Sequence, residues 1–290
     1  EDHPAAPEAE AAQAARPGLI ADPTGRGRAG WLRCAGGVVW REGLRFFQQR
    51  ERFVAALVRP LVWLFVFAAG FRAVLGVSII EPYDTYVLYE VYVVPGLCAM
   101  VQLFQGMQSS LSMVYDRETG TMRALLVSPY PRWFLLSAKL GGAVAVSILQ
   151  VYAFLAIAWA YGVEPPLAGF LAALPALALS GMLLGAIGLF LSSAVKQLEN
   201  FAGVMNFVIF PMFFASSALY PLWRVREGSP LLAEIAFWNP FTHCVELIRH
   251  ALYLSVDWVS LGIVLATGAA FLALAFRAYD PARGRLARRG

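Results

Sequence analysis

Lysine is nearly absent from this 290-residue chain, with Lys139 and Lys196 its only two examples. Charge of either sign is scarce as well. Asp, Glu, Lys and Arg make up 14% of the residues, where soluble domains carry roughly a quarter. So little charge excludes a set of ordinary soluble domains. The three cysteines, Cys34, Cys98 and Cys244, form neither a CxxC pair nor an even framework. They give no basis for a disulfide scaffold, a redox pair or a metal site. No GxxxxGK[ST] run is present, so the chain holds no nucleotide through a P-loop. HExxH, GxSxG and Cys/His clusters are missing too, and nothing suggests a nucleic-acid partner.

What remains is apolar. Hydrophobic residues account for 59% of the chain, with 20 Phe, 8 Trp and 25 Gly. This composition indicates an all-α polytopic membrane protein with a single membrane domain. A span needs about 20 mostly apolar residues. Six stretches qualify, at 53–78, 91–113, 134–161, 167–193, 201–223 and 257–276. Arg59 and Lys139 each lie near one end of a span, where a long side chain can snorkel to the headgroups.

Six spans place the N-terminus, the 114–139 and 194–200 loops and the C-terminus on one face. That face carries nineteen basic residues against four on the other, Arg72, Arg224, Arg226 and Arg249. The bias predicts that both termini are cytoplasmic. Eight acids, among them Glu81, Asp84, Glu90, Glu246 and Asp257, fall on the opposite face.

The organisation expected from these runs is a disordered tail over 1–30, an interfacial helix over 31–52, a six-span domain over 53–280 and a basic tail over 281–290. Residues 1–30 are rich in Ala, Pro, Gly and acids. They lack the apolar core of a secretory signal. In the stretch before the first span, Val39, Trp40, Leu44, Phe46 and Phe47 fall within an arc of about 160°, with Arg41, Arg45, Gln48, Gln49 and Arg52 opposite. Such a helix lies in the membrane interface.

Three further features invite a functional reading. Gln102, Gln105, Gln108, Ser109 and Ser112 fill one arc of about 120° on the second span. Such a stripe must face protein or water: it either bonds neighbouring helices or lines a translocation path, as Asn206 on the fifth span also can. Between 229 and 254, Trp238-Asn239-Pro240 interrupts an apolar run. Asn suits a helix N-cap and Pro the first turn, which predicts two short helices dipping into the membrane from outside without crossing it. Glu246 and His250 stand at i,i+4 on the second of these, which suits an ion pair better than a catalytic pair. Finally, the loop after the second span holds Met122, Leu125 and Leu126 at helical spacing, with Ser128-Pro129 to stop the helix. A short amphipathic helix there either docks into a partner's groove or lies on the headgroups.

These last residues carry a resemblance. Asp116-Arg117-Glu118-Thr119-Gly120-Thr121 followed by Leu125-Leu126-Val127-Ser128-Pro129 resembles a signature of ABC type-2 exporter permeases, and 238–252, "WNPFTHCVELIRHAL", resembles their outer segment. The resemblance covers roughly 35–278 and sits nearest the branch with Nod-factor, drug and polysaccharide exporters. It implies a permease dimer served by two copies of a separate ATPase, which binds the ATP and Mg, so that this chain has no cofactor and no chemistry of its own. It also implies a coupling helix formed by Arg117, Glu118, Gly120, Thr121, Met122, Arg123, Leu125, Leu126 and Ser128. Glu118 and Arg123 would touch the rim of the ATPase groove, with Met122, Leu125 and Leu126 packed inside. Trp238, Asn239, Pro240, Glu246 and Arg249 would form the outer re-entrant segment. The expected location is a bacterial cytoplasmic membrane.

Two other classes compete on the residues alone. A secondary transporter or channel usually shows ionisable residues at mid-depth or an internal repeat. A membrane enzyme of lipid or glycan metabolism needs clustered acids or histidines, which only Glu246, Arg249 and His250 approach. Tyr89, Tyr92, Phe104, Phe207, Phe210, Phe213 and Tyr220 can line a path for an amphiphile, or serve as ordinary packing and belt residues.

Overall fold

A computed structural model describes residues 28–48, 50–71, 82–83, 87–119, 130–195 and 197–279. The elements among them are helices: α1 (Arg28–Gln48), α2 (Arg50–Phe71), α3 (Tyr89–Glu118), α4 (Arg132–Ala160), α5 (Leu167–Ala194), α6 (Leu198–Phe214), α7 (Leu222–Gly228), α8 (Pro230–Trp238), α9 (Pro240–Leu252) and α10 (Trp258–Ala278).

A helix occupies each of the six apolar stretches. By length and composition α4, α5 and α10 are long and apolar enough to cross a membrane. α3 falls short because its polar stripe dilutes a 30-residue helix. α6 has only 17 residues, ending well before the expected 223. Its end is set by Ser216, whose hydroxyl donates back to Phe213 O at 2.6 Å and accepts from Ala218 N–H at 3.2 Å. These local bonds replace the helical ladder. The helix expected over 31–52 runs instead from Arg28 to Gln48, and 50–52 belong to α2.

α3 and α5 form the centre. α4, α9 and α10 pack on α5, and α2 and α4 flank α3. The central pair meets through small residues. A Cβ on Gly106 would stand 2.9 Å from Gly185 Cα, and one on Gly188 would stand 3.0 Å from Gly106 O. Only glycine permits that approach, which brings the backbones into van der Waals contact. Around this core lie Val93, Leu97, Leu103, Met107, Leu177 and Leu184, all essentially buried.

The outer surface is the reverse of a soluble protein's. Leu167, Leu171, Phe207, Trp238 and Trp258 are each more than 70% exposed. Apolar area of this extent on isolated helices needs a non-aqueous neighbour. This is an integral membrane protein. Trp40 and Leu44 on α1 are exposed as well, while Trp31 packs edge-on against Tyr130 and Phe134 at the start of α4, at ring distances of 5.4 and 4.6 Å.

Candidate functional site

At one end of the bundle the chain gathers the termini of five helices. Lys139 on α4 reaches Asp116 on α3 at 3.2 Å, and both side chains are nearly buried. The expectation that Lys139 snorkels to headgroups is therefore replaced by a buried ion pair. The ends of α3 and α4 face each other, and a paired ammonium avoids the desolvation penalty of a lone one. Glu42 on α1 adds a second carboxylate within Coulombic reach of the lysine. Two residues on, Glu118 Oε1 accepts from the Leu198 N–H at 2.8 Å, at the first turn of α6. Arg132 donates to Tyr279 O at 3.3 Å, and the Ser192 and Tyr279 hydroxyls lie 2.8 Å apart, which ties in α5 and α10.

Glu118 is exposed. Gly120, Thr121, Met122, Arg123, Leu125, Leu126 and Ser128 lie outside the described residues, as does the side chain of Arg117. The geometry thus reaches the first residues of the loop motif and no further.

The opposite end is organised by two residues. Asn239 divides α8 from α9, as its sequence position predicts. Its Oδ1 accepts from the Phe241 N–H at 3.0 Å, capping α9, with Pro240 in the first turn. Its Nδ2 donates to Met212 O and Ala215 O at 2.7 and 2.6 Å. One carboxamide thus satisfies the orphan amide of one helix and the orphan carbonyls of another. Trp238 beside it is 75% exposed.

Arg249 on α9 is 1% exposed. It pairs with Glu246, donates to Ser217 O at 3.1 Å and Tyr92 O at 3.4 Å, and lies over the Tyr92 ring at 4.1 Å. Tyr92 and Tyr89 in turn donate to Ser217 O and Leu219 O, both at 2.8 Å. The expected Glu246–His250 pairing is secondary. The two groups are 4.0 Å apart, because the three-residue step to Arg249 brings the stronger cation closer. His243 bridges Phe237 O at 2.8 Å and the Ser260 hydroxyl at 3.1 Å, and burial pushes its pKa below the ordinary value. No group of three or more His, Cys, Asp or Glu among the described residues is placed to hold a metal.

Between these ends the polar stripe of α3 divides. Gln102 is buried and donates to Leu177 O at 2.7 Å, an interhelical bond. Ser112 bonds Ser109 O on its own helix at 2.7 Å. Gln105 and Gln108 face a cleft between α2, α3 and α4, with Arg59, Met100, Val101, Phe104 and Gln150 in its walls. The Arg59 guanidinium sits 3.7 Å over the Phe104 ring, turned toward the neighbouring helix rather than simply along its own. Asn206 is exposed and lines no part of this cleft. Gln150 gives no signal in the sequence because the few polar residues of this largely apolar 29-residue helix form no periodic stripe.

Residues 36–253 match the family described as ABC-2 type transporter. The chain belongs to that family. The family assignment covers all of α2 through α9 and residues 36–48 of α1, and its members are transport permease subunits of ABC transporters. Among curated relatives, a probable multidrug ABC transporter permease, YbhR, of Escherichia coli strain K12 is 33% identical over 206 residues, 66% of this chain and 54% of that protein. The chain thus matches about half the length of that relative. A putative transport permease, ycf38, of Porphyra purpurea is 25% identical over 227 residues, covering 76% of this chain and 74% of the relative. Nodulation protein J of Rhizobium leguminosarum bv. viciae is 23% identical over 227 residues, 77% and 82%. An ABC-2 permease is a membrane component that moves a solute.

Proposed function

We propose that this chain is the transmembrane subunit of an ATP-driven exporter in a bacterial cytoplasmic membrane. It functions as a dimer, binds two copies of a separate ATPase that carries the ATP and Mg, and exports an amphiphile, drug-like molecule or glycan. The helices α2, α3, α4, α5, α6 and α10 are its six spans, with both termini cytoplasmic, and α8–α9 is an outer re-entrant pair. Residues 117–128 form the coupling helix. The exposed Trp40 and Leu44 of α1 rest in the membrane interface.

The observation that carries this reading is the position of Asp116 and Glu118. The signature begins where α3 is held by an ion pair to α4 and by a hydrogen bond to α6. A push on this stretch by a partner therefore reaches three helices at once, which converts the partner's cycle into a change of access. Gln105 and Gln108 border the path.

The test is Leu125→Asp. An apolar anchor in a protein groove contributes about 2 kcal/mol or more, roughly thirtyfold in affinity, and an unpaired charge there is worse. The variant inserts and dimerises normally but no longer co-purifies with its partner ATPase and no longer exports. If Leu125→Asp and Glu118→Ala both retain ATPase binding and ATP-coupled export, the loop is only a connector.

A further inference from the structure

A cavity of about 720 Å³ opens beside Arg249, at the end of the bundle that Asn239 and Arg249 organise. Small-molecule sites typically occupy about 300–1,000 Å³. Tyr83 forms part of the wall and packs edge-on against Tyr253 at 4.5 Å. His250, Ser255, Asp257 and Trp258 bring the rest of its polar and aromatic surface from the turn between α9 and α10. That turn is closely specified. The Ser255 amide and hydroxyl both donate to His250 O, at 2.9 and 3.1 Å, and Leu254 between them takes φ 60°. A left-handed residue just past a helix C-terminus is normally glycine, and a leucine there is strained. Such strain persists where the surroundings over-determine the backbone, and it gathers at ligand sites.

The hydrogen bonds already made decide what the wall can offer. His250 Nδ1 lies 2.9 Å from Glu246 O, a carbonyl that only accepts. The ring proton therefore sits on Nδ1, and Nε2 of the neutral imidazole is an acceptor. Ser255 directs its proton to His250 O, which leaves the hydroxyl lone pairs for a ligand. Asp257 accepts from the Val259 and Ser260 amides and from the Ser260 hydroxyl, so its charge is engaged at the α10 cap while Oδ2 keeps a lone pair. Among the described residues no Lys or Arg lines the cavity. A phosphate or carboxylate would meet acceptors and no permanent cation. An ammonium ion would find the one carboxylate in the wall already held by three hydrogen bonds. Acceptors beside an indole suit a ligand rich in hydroxyl donors with an apolar ring face.

We propose that this cavity is a sugar site. A neutral pyranoside head donates its hydroxyls to His250 Nε2, Ser255 Oγ and Asp257 Oδ2, and its C–H face lies on Trp258. The exposed Val256 and Val259 continue the wall as apolar surface, where an alkyl chain attached to the sugar can rest. As a binding site this stands on the cavity; as a station for cargo it rests on the export reading.

The purified chain in phosphatidylcholine nanodiscs is titrated with methyl maltoside, tetramethylammonium and methyl phosphate, and binding is followed by saturation-transfer NMR. The maltoside binds, and both ions bind less tightly. Trp258 is 75% exposed, so Trp258→Ala leaves the fold intact. Loss of an aromatic anchor weakens the maltoside about tenfold, and Trp258→Tyr retains most of the affinity. His250→Leu removes one acceptor and weakens it about fivefold. No maltoside binding, an ion bound as tightly as the maltoside, or wild-type maltoside affinity in Trp258→Ala overturns the proposal. In proteoliposomes with the partner ATPase, ATP-driven movement of octyl maltoside that falls in Trp258→Ala upholds the site as a station for cargo. Equal movement in the two proteins overturns the cargo statement and leaves the binding result standing. Absence of ATP-driven movement of any solute counts against the export reading alone. Export of other solutes by a chain that binds no maltoside sinks the site and spares the export reading.

Discussion

Glu118 Oε1 accepts the backbone N–H of Leu198 at 2.8 Å, joining the last residue of α3 to the first of α6 across 80 positions of sequence. The carboxylate takes the place of a helix cap, because Gln197 before α6 offers no side-chain cap of its own. A negative group at a helix N-terminus is also favoured by the helix dipole.

Glu118→Gln keeps an acceptor and Glu118→Ala removes it. The contact is exposed, so its effect on stability is small and its effect on coupling is the informative readout. ATP-stimulated export falls in the order wild type, Gln, Ala, while the amount of folded protein stays constant. Equal export by all three makes the contact incidental.

Lys139 and Asp116 give a sharper stability test. Removing one partner of a buried pair strands the other charge and costs about 3–5 kcal/mol. Lys139→Met alone lowers the thermal midpoint in detergent by several degrees or prevents folding. The double variant Lys139→Met, Asp116→Leu recovers most of the loss. Additive losses in the double variant refute pairing.

Asn239 separates two roles by substitution. Asn239→Ser keeps an acceptor for the Phe241 N–H but donates poorly to Met212 O and Ala215 O. Asn239→Asp keeps the cap and turns a carboxylate toward those carbonyls. Asn239→Ala loses both roles, about 2–3 kcal/mol. Thermal midpoints fall from Asn to Ser to Ala, and Asp is no better than Ala. An Asp variant as stable as wild type would show that the bonds to α6 contribute nothing.

Asp257 gives a pH dependence. Burial acts against its charged form, but bonds from the Ser260 hydroxyl and amide, the nearby His250 and the Val259 amide together hold its pKa below the ordinary value. A depressed carboxylate contributes stability that is fully present above its unfolded pKa, about 3.9, and is lost as pH falls through the lower folded value. Between pH 5 and pH 2.5, roughly the range around that titration, the wild-type midpoint drops more than that of Asp257→Asn, which caps without titrating. Parallel curves would remove Asp257 from the account.

The local signals in the sequence proved the most readable. Asn239-Pro240 announces its own break because cap and first-turn chemistry are properties of adjacent residues. The polar stripe of α3 is legible as a stripe, yet its division between the Leu177 carbonyl and an open cleft depends on which helices stand opposite. The same limit hides Lys139 with Asp116 and Arg249 with Tyr92 and Ser217: each pair is a long-range meeting, and a single sequence records only that a charge sits in an apolar context. The end of α6 at Phe214 was missed for a related reason. Ser216 reads as tolerable in a span until its hydroxyl is seen to bond the Phe213 carbonyl and the Ala218 amide.

Gly106, Gly185 and Gly188 set α3 and α5 backbone to backbone, and helices in such contact cannot slide past one another without first separating. The pair is a stator. A change of access that keeps this contact moves other helices about it, and α2 and α6 pack on α3 rather than on α5. α6 begins at the Glu118 contact and α2 carries Arg59, so these two helices are joined to the loop motif and to the cleft.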